Sequence, residues 1–167
     1  MRVAAKRTRK WDSNNPASKH GCDCSDSGTP VLIPLTPNGL ANALTDAAHG
    51  VNFDVNMDGA GQWSWTRADA DAGWLVMDAD EDGSIKNGTY LFGNVSGDDA
   101  PLFADESDNG FRSLRAYDRN RDGVIDASDG IWRLLRVWTD SNHNGISESG
   151  ELQRLIRQVY DVILQKQ

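Results

Sequence analysis

The chain holds 167 residues, 38% of them hydrophobic, and carries 25 acidic against 17 basic side chains for a formal net charge of −8. That length fits one domain or two small modules with a modest core, for which a bound cation supplies folding energy that the core lacks. No apolar run approaches the ~20 residues of a membrane-spanning helix, which excludes that class.

Residues 1–30 are polar and basic, with a net charge of +3, so the rest of the chain carries −11. This stretch is expected to be a disordered arm. Its basic run, Lys6 to Lys10, is expected to be a solvated tail, with no nucleic-acid partner. No secretory signal is visible, because the basic start leads into a polar segment instead of an apolar one. Cys22 and Cys24, the only cysteines, stand too close for an unstrained bridge. With His20 they make an incomplete zinc set, and the favoured reading is free thiols.

Residues 31–94 are expected to form a small β-rich region. Val31 to Ile33 begins it as a strand, and Asn38-Gly39 is a turn signal. Val51 to Phe53 and Gln62 to Thr66 alternate around a loop, and Trp74 to Met77 is a short buried strand. Residues 95–109, rich in Asp, Ser and Gly, form a linker. From 110 to 167 the spacing predicts helices. Phe111, Leu114 and Tyr117 share one face; Ile131, Leu134, Leu135 and Trp138 recur at helical spacing; Leu152, Leu155, Ile156, Val159 and Ile163 continue the pattern. The expected fold class is α+β: a small β-hairpin N-terminal half, then a helical EF-hand-like or dockerin-like loop pair sharing one helix.

Four hexamers share one grammar, in which Asp, Asp or Asn, and Asp or Asn alternate before a glycine. They start at Asp54, Asp78, Asp118 and Asp140, separated by 24, 40 and 22 residues. Alternate oxygen-bearing side chains followed by a turning glycine are what a calcium loop requires, since calcium takes six to eight oxygens. In the third loop the expected ligands are Asp118, Asn120, Asp122, the Val124 carbonyl, Asp126 at the ninth position and Asp129 at the twelfth. Ile125, at the eighth, is expected to pair this loop with another. In the fourth they are Asp140, Asn142, Asn144, the Ile146 carbonyl, Glu148 and Glu151, with His143 solvated. The second loop offers Asp78, Asp80, Asp82 and the Ser84 carbonyl, but Lys86 and Thr89 stand at its ninth and twelfth positions. The first offers Asp54, Asn56, Asp58 and the Ala60 carbonyl, and ends on Gln62 and Trp65 without a carboxylate. Two ions, in the third and fourth loops, are therefore expected.

The run from Gly110 to Asp129, followed by Leu135 to Leu152, resembles bacterial secreted calcium-binding proteins of the EF-hand type, whose segments also occur near repeats-in-toxin regions. Leu44 to Asp54 and Asn87 to Asn94 are similar to the same family. The resemblance covers about residues 31–152. Lys86 and Tyr90 depart from it, standing where acidic residues are expected, and Gln153 to Gln167 departs as an amphipathic helix.

The expected function is non-enzymatic calcium binding by an extracellular or cell-surface module that the ion stabilises. A dockerin-like module that binds a protein partner in a calcium-dependent way is the alternative. The clustered carboxylates are accounted for as ligands, no catalytic constellation stands out, and three methionines do not make the Met-rich groove of a calcium sensor.

Overall fold

The short segments that alternate, or are apolar throughout, satisfy their backbone here by pairing as strands. The computed structural model describes residues 30–93 and 110–155. Six strands form: β1 (Leu32–Pro34), β2 (Val51–Phe53), β3 (Gly61–Trp63), β4 (Ala72–Met77), β5 (Leu135–Trp138) and β6 (Leu152–Arg154). β1, β4, β5 and β6 lie in that order in one four-stranded antiparallel sheet, and β2 pairs with β3 in a hairpin. The register places Trp74 opposite Trp138 and Met77 opposite Leu135. One α-helix, α1 (Gly110–Arg115), and single 3-10 turns at Ala47–His49, Gly88–Tyr90 and Trp132–Leu134 complete the described elements.

The central strands bury both faces, and the twofold alternation of β4 and β5 divides their side chains between two cores. Trp74, Val76 and Trp138 join Leu32, Phe53, Trp63 and Trp65 beneath the β2–β3 hairpin. Leu75, Leu135 and Val137 join Ile33, Phe92, Leu114 and Ile125 on the other side. In the first core, Trp65 lies 5.0 Å from Trp74, 5.4 Å from Trp138 and 5.2 Å from Phe53, between ring centroids. Each such ring pair adds about 0.5–1.5 kcal/mol beyond its burial, which makes this cluster the anchor of the hairpin.

The structure corrects the α+β expectation. The described residues are mainly two antiparallel sheets, and the helical EF-hand-like or dockerin-like pair is not formed. The stripe of Ile131, Leu134, Leu135 and Trp138 is a 3-10 turn followed by strand β5. A strand buried on both faces is mostly apolar, so it mimics helical spacing over four residues. Leu152 likewise starts a strand. Among the described residues, only the helix carrying Phe111 and Leu114 forms, and it stops at Arg115, before Tyr117. The basic arm with Lys6 to Lys10, His20, Cys22 and Cys24, the linker, and Ile156, Val159 and Ile163 lie outside the described residues.

Candidate metal centre

All four hexamers fold with one backbone. The fourth residue and the glycine at the sixth both take positive φ: Met57 and Gly59, Glu81 and Gly83, Arg121 and Gly123, His143 and Gly145. In each loop the glycine N–H donates to the first aspartate, at 3.1 Å (Gly59 to Asp54), 3.3 Å (Gly83 to Asp78), 2.8 Å (Gly123 to Asp118) and 2.8 Å (Gly145 to Asp140). A Cβ at Gly59, Gly83 or Gly123 would meet open space, so the left-handed backbone alone asks for glycine there. At the fourth position ordinary side chains accept that conformation at about 1–2 kcal/mol each.

The strands place these loops. Loop I is the β2–β3 turn, loop II leaves the end of β4, loop III follows α1, and loop IV joins β5 to β6. In loop III the closing Asp129, almost fully buried, accepts the N–H groups of Arg119 at 2.8 Å and Asp126 at 3.0 Å. Glu151 does the same in loop IV, from Ser141 at 2.9 Å and Glu148 at 3.3 Å. The twelfth residue thus ties the second and ninth positions together in both loops, as the twelve-residue spacing requires. Asp122 accepts from Val124 at 2.8 Å, and Asn144 from Ile146 at 2.7 Å. Asn120 donates to Asp122 at 2.7 Å, Asn142 donates to Glu148, and Asp126 accepts from Ser128.

Two oxygens at ligand positions are buried without a hydrogen-bond donor: Oδ1 of Asp118 in loop III and Oδ1 of Asn56 in loop I. A buried acceptor left unmatched costs about 1–3 kcal/mol, and an oxygen-seeking cation is a partner that would offset it. Among the described residues, no three His, Cys, Asp or Glu side chains are gathered into a metal-holding group. The carboxylates expected as ligands in loops III and IV are thus not drawn together around one point.

Loop II is built differently. Lys86 Nζ lies 3.2 Å from Oδ2 of Asp80 and 3.0 Å from Oδ2 of Asp82. The Tyr90 hydroxyl donates to the same Asp80 oxygen at 2.9 Å. These bonds hold both carboxyls below the usual carboxylate range, chiefly through Tyr90 for Asp80 and Lys86 for Asp82, and raise both Lys86 and Tyr90. The guanidinium of Arg136 reaches the buried Asp78 at 3.6 Å.

Four residues have roles that sequence reasoning missed. Arg136 is one, and the lone charge in an otherwise apolar strand was its signal. His143 is not solvated: its ring nitrogens lie 2.7 Å from the Thr66 carbonyl and 2.8 Å from the His49 carbonyl. Ser147 accepts the Ile85 N–H at 2.7 Å, so the eighth positions of loops II and IV meet. Ser141 adds its hydroxyl to Glu151 at 2.9 Å. Ile125, expected to pair loop III with another loop, enters the core.

Among the described residues, no helix is long and apolar enough to cross a membrane. A family model for the SPM domain matches residues 31–163. The chain is 35% identical over 131 residues to the iron-regulated protein FrpA of Neisseria meningitidis serogroup C, a match covering 75% of this chain and 11% of that protein. It thus spans about a tenth of the length of that relative. By the extent of the family match, the chain belongs to the SPM domain family.

Proposed function

We propose that this SPM domain binds calcium without being an enzyme, taking one ion in loop III and one in loop IV. The observation that carries the reading is the common loop backbone, with its first aspartate locked to the sixth glycine and Oδ1 of Asp118 buried without a donor. Asp118, Asn120, Asp122, the Val124 carbonyl, Asp126 and Asp129 would hold the first ion. Asp140, Asn142, Asn144, the Ile146 carbonyl, Glu148 and Glu151 would hold the second. The ion neutralises clustered carboxylates and fixes the loop ends, so stability rises as free calcium exceeds the dissociation constant. Loops that gain most at millimolar calcium suit an extracellular or cell-surface setting.

Calorimetric titration of the chelator-stripped full chain tests this. Two ions per chain are expected. Absence of binding heat and of any change in thermal stability at millimolar calcium overturns the proposal.

A further inference from the structure

Asp78, Asp80 and Asp82 of loop II all face cations that belong to the chain. Lys86 stands at the ninth position, where a calcium loop offers an oxygen, and its ammonium bridges Asp80 and Asp82. Tyr90 closes the far side of Asp80, with Lys86 Nζ 5.9 Å from the centre of its ring. Arg136, on the neighbouring strand, faces Asp78. Two carboxylates two residues apart repel unless a positive charge lies between them.

We infer that Lys86 is the resident cation of loop II, holding it in the calcium-loop conformation without metal and directing calcium to loops III and IV. The inference rests on the calcium reading for those two loops. A tethered ammonium is held at a high local concentration that free calcium must overcome, and displacing it leaves the lysine without its partners. Loop II is then a preformed strut. Through the Ile85 to Ser147 hydrogen bond and the 3.4 Å approach of the Ser147 hydroxyl to the Gly83 carbonyl, it bears on the eighth position of loop IV.

The test compares the full-length wild type with Lys86→Met, which keeps most of the stem and removes the charge, and with Lys86→Arg, which keeps the charge. In chelator, the Gly83 and Ser84 amides of the wild type and the Arg variant should exchange severalfold more slowly than those of the Met variant. Calcium should move the wild-type Gly123 and Gly145 resonances and give an ion count of two. In Lys86→Met, calcium should move the Gly83 resonance and raise the ion count by one. A third ion bound by the wild type, or a Met variant that matches the wild type in exchange and ion count, overturns the inference. If Gly123 and Gly145 do not respond, the calcium reading fails instead, and the comparison in chelator still decides the role of Lys86.

Discussion

The indole nitrogen of Trp138 lies 3.4 Å from Oε2 of Glu151, so a fully buried core tryptophan touches the carboxylate that closes loop IV. The same carboxylate takes the N–H groups of Ser141 and Glu148 and the Ser141 hydroxyl. Calcium is expected to change the near-UV signal of Trp138. Glu151→Ala leaves these donors without their acceptor, at a cost of about 1–3 kcal/mol. Urea unfolding should show that loss in chelator, and calcium should no longer move the tryptophan signal.

Asp118 and Asp140 each open a proposed site, and both hold their glycine turn. Asp118→Ala and Asp140→Ala should each remove about one equivalent of bound calcium by calorimetry. Asp118→Asn keeps an oxygen for the Gly123 N–H while deleting the charge, so it should weaken binding with little loss of stability in chelator. An unchanged ion count in the alanine variants contradicts the site assignments.

Asp78 and Arg136 form a buried pair, the carboxylate 4% exposed and the arginine 9%. Asp78→Ala leaves the guanidinium, among the described residues, with the carbonyls of Arg133 and Leu135, and the expected destabilisation is about 3 kcal/mol. Asp78→Ala combined with Arg136→Met should recover most of it. A double variant no more stable than the single one would show that the pair is not coupled.

Asp46 caps the turn Ala47–His49, accepting from the His49 ring at 2.7 Å and from its N–H at 2.8 Å. The ring hydrogen bond, then the backbone one, hold its carboxyl below the usual range. A lowered folded value means the cap is fully stabilising above the unfolded value of about 3.9 and is lost as pH falls through the folded one. A carboxyl-carbon NMR titration should give a midpoint under about 3.9, and His49→Ala should raise it.

The β strands around the tryptophans were legible because alternation at Val51 to Phe53 and the apolar block at Trp74 to Met77 each have one economical structure. The strand at Leu135 to Trp138 was not, because Leu-Arg-Val-Trp fits a helical stripe as well as a doubly buried strand, and pairing with β4 decides between them. The hexamers gave the loop backbone, since each donor and glycine acts within its own loop. The ammonium of Lys86 between two aspartates was half legible: its position was anomalous, but what it touches depends on how the loop closes. The tether from His143 to Thr66 and His49 spans 77 and 94 residues, a separation at which no local pattern speaks.

The left-handed fourth residue recurs in all four hexamers. Because the proposed chemistry uses the residues on either side, this position is free to vary, and it does. Met57 is 45% exposed, Glu81 pairs with Arg133, and His143 moors its loop to two distant carbonyls. One repeated turn thus acts as a socket whose insert sets where each loop is fastened. Placing a methionine at 143 would remove both moorings of loop IV while leaving its oxygen-bearing side chains in place.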